Sequence, residues 1–377
     1  MKWEKVKLGD VTDSCLGKML DQHKNKGDYQ PYLANVNVRW GEFDLEDLPL
    51  MKFEESEQER YGLKYGDLVI CEGGEPGRCA IWKEQIPYMK IQKALHRVRV
   101  HDCIDYRYLF YWFLLAGKTG ELDQYFTGAT IKHMPGQKLK EVVIDKPPLE
   151  TQHRIADILS AYDDLIENNQ KQIKLLEEAV QRLYKEWFVD LRFPGHENTK
   201  IVDGVPEGWS RTNINEILTF HRGYDLTKNE MEAGRYPVVG STTVIGYHNE
   251  FKIKGPGIVT GRSGSLGKYQ FIWDNFWPHN TSLYISDYKD HNIFFVYSLL
   301  QTVDFASLNN GGAIPTLNRN VLSNIEVTEP EKKLQDVFAK IAEPQYQKIR
   351  YLEKQNDRLR TARDLLLPKF MSGEVEV

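Results

Sequence analysis

The sequence has few cysteines, and none of them forms a CxxC pair. All four lie in the first third of the chain: Cys15, Cys71, Cys79 and Cys103. A structural zinc site draws on about four Cys or His ligands at close spacing. His96 and His101 lie near these cysteines but do not complete such a pattern. The cysteines are therefore expected to be free thiols in a reducing compartment.

The sequence also lacks long apolar runs and a strong excess of either charge. No run of about 18 apolar residues occurs, so no membrane-spanning helix is predicted. The start, MKWEKVKLGD, has no apolar signal segment, and we expect a cytoplasmic protein. The net charge of −5 excludes a uniformly basic nucleic-acid binder. Any surface that binds nucleic acid must then be a local basic patch.

Catalytic motifs are a third absence. An amino-methyltransferase would carry an Asn- or Asp-Pro-Pro-aromatic loop, whereas the Pro147-Pro148 pair lies between Lys146 and Leu149. The stretch GRSGSLGK at 261–268 approaches a P-loop, but its first glycine is misplaced and Tyr269 stands where Ser or Thr would hold magnesium. We therefore expect a chain that is not itself an enzyme and binds no cofactor.

The chain repeats itself with a period of about half its length. Residues 3–18 and 209–224 each start with Trp and reach a Gly, and three further pairs follow in the same order. These pairs are 66–82 with 255–273, 105–115 with 290–300, and 125–148 with 308–330. Each half reads as a short apolar strand, a Gly-rich loop, an aromatic helix and a last strand before a proline. Duplication for stability alone does not explain the segments that follow each half.

Each half is followed by a long helical pattern. The first carries a heptad seam at Leu159, Tyr162, Ile166, Asn169, Ile173, Leu176, Val180, Leu183 and Trp187. The second carries one at Ile341, Gln345, Ile349, Leu352, Asn356, Leu359, Arg363, Leu366 and Phe370. A shift of 183 residues places Gln152 on Gln335 and Trp187 on Phe370. Pro344 predicts a short lead-in helix before a new one, and Pro368 predicts a bend or stop in the last turn.

A single seam of this kind needs a partner helix. Antiparallel packing of the two helices would separate the globular halves by about 45 Å, since some 30 residues rise about 1.5 Å each. Two such units would contact one duplex about 13 base pairs apart. A coiled-coil dimer of two chains is the alternative that the pattern leaves open.

The order of these segments, and the motif PLETQHRIADILSAYDDLIENNQKQIKLLEEAVQRLYKEWF, resemble the specificity subunit of type I restriction–modification systems. The resemblance covers essentially the whole chain. It implies an α+β fold with two target-recognition domains of mixed β structure and short helices, separated by two long antiparallel coiled-coil helices. The predicted boundaries are 1–148 and 208–328 for the two domains, 149–190 and 329–372 for the helices, 191–207 for a linker and 373–377 for a tail.

The resemblance also implies the function. Such a subunit binds double-stranded DNA at a split site and joins two methyltransferase (modification) subunits and restriction (motor–nuclease) subunits. Those partners would use S-adenosylmethionine, ATP and Mg²⁺, and this chain would bind none of them. Two other functions stay open: a two-headed coiled-coil scaffold for protein ligands, and a stand-alone DNA methyltransferase or nuclease component.

Candidate DNA-binding residues are basic, amide and hydroxyl side chains on loops that match between the halves. In the first half they are Lys18, Arg39, Arg78, Lys90, Lys93, Thr130 and Lys132. In the second half they are Arg222, Tyr224, Arg262, Ser263, Lys268, Asn280, Thr316, Asn318 and Arg319. Tyr184, Phe188 and Leu367, off the helical seams, are predicted either to anchor partner subunits or to pack against the domains.

Overall fold

The computed structural model describes residues 3–21, 25–262, 267–303 and 325–376. Its contacts divide the chain into two units. The first unit is Met1–Asn168 with Gln355–Val377, and the second is Asn169–Lys354. The division falls within both long helices, so each unit holds a part of each helix.

The first unit contains three small sheets and four short helices. Its strands are β1 Glu4–Lys7, β2 Thr12–Leu16, β3 Asp28–Leu33, β4 Leu50–Phe53, β5 Leu68–Cys71, β6 Cys79–Ile81, β7 Lys90–Ile91, β8 Leu95–Val100 and β9 Val143–Lys146. Its helices are α1 Leu8–Val11, α2 Gln58–Tyr61, α3 Tyr106–Thr119 and α4 Gly136–Glu141, followed by the first part of α5 Leu149–Tyr184. The sheets have the strand orders β2-β8-β5-β6, β4-β3-β7 and β1-β9.

The second unit repeats these three sheets. Its strands are β10 Ile201–Val202, β11 Val205–Pro206, β12 Ser210–Asn213, β13 Thr219–Arg222, β14 Tyr236–Val239, β15 Val244–His248, β16 Gly257–Gly261, β17 Tyr269–Ile272, β18 Trp277–Pro278, β19 Ser282–Asp287 and β20 Glu326–Glu329. Its helices are α6 Ile214–Ile217 and α7 Ile293–Leu300, with part of α8 Lys332–Met371. The orders β13-β19-β16-β17, β15-β14-β18 and β12-β20 match those of the first unit, so the internal repeat and the α+β class are confirmed.

Matching caps begin the buried helices α3 and α7. The Asp105 side chain accepts hydrogen bonds from the backbone of Arg107 (2.7 Å) and Tyr108 (3.2 Å). The Asn292 side chain accepts one from the backbone of Phe294 (2.9 Å). A short polar side chain at this position satisfies N–H groups that have no partner inside the helix. The caps align Asp105 with Asn292, two residues away from the pairing that the sequence predicted.

Two buried glutamines confirm the predicted shift of 183 residues between the long helices. Gln152 donates to the Pro147 carbonyl (2.8 Å), and Gln335 donates to the Pro330 carbonyl (2.9 Å). Each side chain thereby ties the first turn of its helix to the strand that precedes it. The proline before each helix keeps the helix from starting earlier in the chain. Proline restricts the conformation of the preceding residue and has no backbone N–H to donate.

The two long helices pair antiparallel within each unit. In the first unit Arg363 of α8 bonds to Asp163 of α5, and Asp163 also accepts from the Tyr111 hydroxyl (2.6 Å). In the second unit the rings of Tyr184 and Phe338 lie 5.7 Å apart, with Trp187 6.2 Å from Phe338. Nine of the eighteen seam residues are buried and eight are partly buried, which supports the predicted heptad pattern.

Two predictions about the helices are wrong. α8 is one uninterrupted helix through Pro344, whose exposed position costs one backbone hydrogen bond without breaking the helix. Ile341 is exposed, and Phe338 and Ala342 fill the core beside it. Of the two alternatives predicted for Tyr184, Phe188 and Leu367, packing against the domains is confirmed, because the unit cores bury all three side chains.

Candidate nucleic-acid interface

Four strands of the first unit end at one edge of its sheets. β2 and β5 end beside the first residues of β8, and β3 ends beside β7, which runs parallel to it. Backbone hydrogen bonds from Gly17 to Leu95 (2.9 Å) and from Gln92 to Leu33 (3.0 Å) extend the two sheets there, and one from Lys18 to Ile91 (2.9 Å) joins them. The segments that follow these strands therefore lie side by side. We call this the loop edge of the first unit: residues 17–18, 34–39, 72–78, 92–93 and 127–133.

The second unit has an equivalent edge. Gly223 donates to Ser282 (3.1 Å) and His279 donates to Val239 (2.9 Å), which repeats the two bonds of the first unit. The loop edge of the second unit comprises residues 222–225, 240–241, 262, 268 and 279–281. The strand registers make these residues equivalent: Lys18 and Tyr224, Asn35 and Ser241, Glu72 and Arg262, Arg78 and Lys268, Lys93 and Asn280.

A glycine lets the backbones approach closely at each loop edge. A Cβ on Gly17 would lie 2.5 Å from the carbonyl oxygens of Ile91 and Gln92. A Cβ on Gly223 would lie 2.1 Å from the carbonyl oxygen of His279. Neither position has room for a side chain, and the repeat predicted both glycines without revealing this reason.

Exposed candidates of the first unit lie on three loops of the edge. Arg39 follows β3, Lys93 follows β7, and Thr130 and Lys132 lie on the loop 127–133. Paired backbone bonds between Thr127 and His133 (2.8 and 2.9 Å) close that loop. A bridge between Gly73 and His133 attaches it to the edge. The Lys132 side chain is 57% exposed and lies 3.5 Å from Asp123, so its ammonium remains open to an anion.

The Arg78 side chain bonds to other residues of the loop edge instead of extending into solvent. Its guanidinium donates to the Asn35 carbonyl (3.0 Å) and to the Glu75 carboxylate (2.9 Å). Asn35 in turn donates to the Gly73 carbonyl (3.2 Å). The sequence did not predict a role for Asn35, because its position beside Gly73 depends on the pairing of β3 with β7. Arg78 is best described as a residue that positions the loops.

Lys18 and Lys90 are corrections to the candidate set. Both are buried. Lys18 forms an ion pair with Glu57 and donates to the Lys52 carbonyl (2.9 Å), while Lys90 donates to the Tyr88 carbonyl (2.9 Å). Burial lowers the pKa of Lys90. A phosphate contact requires an exposed cation, so the geometry does not support a DNA-contact role for either lysine.

Two candidates of the second unit share one acidic partner. Arg222 lies 3.5 Å from Asp225, and the Asn280 amide donates to the same carboxylate. Tyr224 lies between Arg222 and Asp225 in the sequence, and its hydroxyl oxygen is 3.0 Å from that of Tyr284. Asp225 therefore orients an amide and a guanidinium beside an aromatic ring. Such a group presents donors, an acceptor and a flat surface together.

The β16–β17 turn contributes the remaining described candidates, Arg262 and Lys268. The backbone N–H of Arg262 donates to Thr281 (3.1 Å), and the Lys268 side chain is exposed. This turn joins two antiparallel strands, whereas a P-loop leads from a strand into a helix, so the geometry counts against nucleotide binding. The candidates Ser263, Thr316, Asn318 and Arg319 lie outside the described residues.

Glu72 is a residue of the edge that the sequence did not predict. It stands where the second unit has Arg262, and its side chain is 24% exposed. Burial raises its pKa, while His133 and Lys93 act in the opposite direction. Its ion-pair partner within the described ranges is the ring of His96 at 4.0 Å, and burial lowers the pKa of that ring, which keeps it neutral. The carboxylate is therefore an acceptor without a cation bound to it.

Within residues 3–21, 25–262, 267–303 and 325–376, no group of three or more His, Cys, Asp or Glu side chains could hold a metal ion. None of the helices found there is long and apolar enough to cross a membrane.

Comparison with known proteins places this architecture. A family model for the type I restriction modification DNA specificity domain matches residues 1–178 and 206–361. The chain belongs to this family. Each matched stretch of this specificity-domain chain includes one loop edge, so both halves contribute a domain of the same kind.

Specificity subunits of other organisms resemble the chain over much of its length. The type I restriction enzyme MjaIX specificity subunit of Methanocaldococcus jannaschii is 28% identical over 342 residues, which cover 83% of this chain and 78% of that one. A putative type I specificity subunit of Haemophilus influenzae, S.HindORF215P, is 29% identical over 183 residues, 48% of this chain and 45% of the relative. The crystal structure of the S subunit from M. genitalium shares the fold, with a TM-score of 0.60 at 19% identity over 98% of this chain and 96% of that one.

Proposed function

We propose that this type I specificity subunit binds a split DNA site, and that each loop edge binds one half of it. The observation that carries the proposal is that one strand frame occurs twice and carries different side chains at equivalent loop positions, such as Glu72 and Arg262. A shared backbone frame with different loop residues suits two domains that recognise different DNA sequences. Membership of the specificity-domain family supports the same function.

The edges offer both kinds of contact that a DNA reader needs. Exposed cations suit phosphates: Arg39, Lys93 and Lys132 in the first unit, with Arg222 and Lys268 in the second. Glu72 can accept a hydrogen bond from the amino group of cytosine, and Arg262 can donate two to guanine. Asn280, held by Asp225, is placed to bond adenine. The two half-sites would therefore differ in sequence.

The chain would supply specificity and leave catalysis to its partners. Two modification subunits and the restriction subunits would bring S-adenosylmethionine, ATP and Mg²⁺, and this chain would bind none of these. Four apolar side chains on the outer surfaces of the long helices are candidates for partner contact. They are exposed by 49–65%: Leu165, Leu175, Tyr351 and Leu365.

Mapping DNA methylation in the source cell tests the proposal. Deleting the gene for this chain should abolish methylation at one split motif, and restoring the gene should restore it. Loss of no motif, or of a continuous motif, would contradict the proposal.

Lys132→Ala tests the first loop edge in the assembled complex. If Lys132 contacts a phosphate, the slope of log K against log salt concentration should fall by about 0.9, with the methylated motif unchanged. Lys64→Ala, on another part of the first unit and paired with Glu59, is the matched control and should leave the slope as it is. An unchanged slope for Lys132→Ala would remove this residue from the interface.

A further inference from the structure

The first unit has an apolar groove with a volume of about 830 Å³ beside the start of α5 and the end of α8. Six of the residues that line it are Trp3, Cys103, Pro148, Ile155, Phe370 and Val375. Val375 is 39% exposed and Trp3 is half-buried, so the apolar surface is open to solvent. In the described part of the first unit, no aromatic ring packs against the ring of Trp3.

The second unit shows what occupies the equivalent place. Trp209 is the counterpart of Trp3, because each immediately precedes the first residue of a matched strand, β12 or β1. Trp187 is the counterpart of Phe370 by the 183-residue shift that the buried glutamines confirm. Phe193 packs against Trp209 with its ring centroid 4.9 Å away, and both rings are buried.

The chain reaches this place in the second unit through a turn. After α5, a π-helical turn at Lys185–Val189 leads to Leu191, whose φ is +58°. Arg192 then bonds to the Glu186 carboxylate at 2.5 and 2.6 Å, which fixes the segment that carries Phe193. In the first unit α8 ends at Met371 and Gly373 turns the chain differently, with φ +69°.

We propose that the groove of the first unit binds a phenylalanine side chain of a partner protein, in the place that Phe193 occupies in the second unit. The partner segment would carry a basic residue before the phenylalanine and a proline after it, as Arg192 and Pro194 flank Phe193. This proposal stands apart from DNA binding, because its residues are not part of either loop edge.

The charges at the groove suit such a segment. Glu4 and Lys146 pair at 2.8 Å and leave no net charge between them. The exposed carboxylate of Glu376 also lines the groove and has no ion pair within the described ranges. A basic residue beside the phenylalanine would therefore meet a negative rim while the ring enters the apolar part.

A synthetic peptide that copies residues 190–196, DLRFPGH, tests the proposal on the full chain. Cys103 lines the groove and is exposed, whereas Cys71 and Cys79 are buried. The rate at which a thiol reagent alkylates Cys103, followed by mass spectrometry, therefore reports occupation of the groove. The peptide should slow this alkylation in a saturable way. Replacing its phenylalanine with alanine should raise the half-protecting concentration at least about ten-fold, because burial of the ring drives binding.

Two variants keep the test decisive. Val375→Lys places a positive charge at the exposed rim, where it repels the basic residue of the peptide, and should abolish protection; Trp3→Ala removes a wall of the groove and should do the same. Cys71 and Cys79 should stay unreactive in both variants if the first unit remains folded. Equal protection by the alanine peptide, or none by either peptide, would overturn the proposal. Protection of Cys103 that rises with the concentration of the chain alone would overturn it as well, since a second copy would then fill the groove.

Discussion

The loop edges of the two units place different chemistry on the same backbone frame. At two equivalent positions the first unit has Glu72 and Lys93, whereas the second has Arg262 and Asn280. Backbone hydrogen bonds and close glycine contacts build both frames, and they do not depend on these side chains. The comparison teaches that a duplicated backbone frame can keep its structure while the charge of a partly exposed side chain on it changes from negative to positive.

The buried glutamines show a second difference between the units. Gln152 makes three hydrogen bonds, to the carbonyls of Pro147 and Cys103 and from the backbone of Asp105. Gln335 repeats the bond to the preceding proline, but its side-chain oxygen has no hydrogen-bond partner among the described residues. The same residue thus connects three segments in one unit and two in the other.

The largest expected effect comes from adding a side chain to Gly17 or Gly223. Each substitution should destabilise the strand frame of its own unit and leave the other unit intact. We expect Gly17→Ala to destabilise the first unit, and Gly223→Ala the second, by about 3 kcal/mol each, since the new Cβ meets backbone atoms that cannot move aside. Hydrogen exchange of β8 and β19 measures the units separately. The control Gly136→Ala meets only the His96 ring at 3.5 Å, an ordinary contact. Equal loss of protection in both units from one variant would refute the idea of two separate frames.

Substituting the glutamines should separate the units more finely. Gln152→Ala removes three hydrogen bonds and leaves the Asp105 N–H unpaired, so we expect a loss of about 2–3 kcal/mol. Gln335→Ala removes one bond and should cost about 1 kcal/mol. Hydrogen exchange at the first turns of α5 and α8 measures both losses. Equal losses would mean that the extra bonds of Gln152 contribute nothing net.

Changing Glu72 or Arg262 tests whether the loop edges read separate half-sites. Arg262→Ala should weaken the preference for one base pair in one half of the methylated motif by about 1–3 kcal/mol. Glu72→Gln should relax one position in the other half by a smaller amount, because the amide keeps an acceptor oxygen. Sequencing the methylated sites for each variant measures the outcome. If both variants altered the same half-motif, the assignment of one edge to each half would fail.

The smallest expected effect concerns pH. Burial lowers the pKa of His96 from 6.5, so unfolding takes up a proton once the pH falls below about 6.5. The first unit should therefore lose stability from that pH downward, by at most about 1.4 kcal/mol at pH 5.5. The second unit has Leu283 at the equivalent position and should lack this loss.

His96→Leu is the control variant for the pH prediction. In this variant, hydrogen exchange of β8, corrected for the intrinsic rate, should become nearly independent of pH in this range. The remaining pH dependence should come from the titration of Glu72. The raised pKa of Glu72 acts in the opposite sense, because its folded carboxyl takes up a proton before the unfolded one does. A loss of equal size in β19 would show that His96 is not its source.

Much of the fold could be predicted because it follows from local pattern. Heptad spacing predicted both long helices, and repeated strand–glycine–aromatic segments predicted two domains of one kind. The prediction for Pro344 was wrong because a proline on an exposed helix face loses one hydrogen bond, which packing of Phe338 and Ala342 outweighs. Tyr184, Phe188 and Leu367 show the same limit, since heptad position alone does not tell which domain residues cover a helix.

The candidate interface was predicted less well than the fold. Loop position and charge led to Lys132, Arg222 and Asn280, which the structure places on the loop edges, and also to Lys18, which it buries. Glu72 was missed because an acidic residue does not suggest DNA binding until it is known that Glu72 takes the place in the first unit that Arg262 has in the second. Strand register decides that place, and register depends on contacts between residues far apart in the chain.

The order of the chain by itself determined that this protein has two related domains and two long helices, because periodicity and repetition act between neighbours in sequence. Tertiary structure alone decided which side chains share an edge, which lysines are neutralised inside a domain, and which of two matched tryptophans is covered. Those outcomes depend on the meeting of distant strands, where a Cβ on Gly17 or Gly223 would lie within 2.5 Å of a backbone carbonyl oxygen.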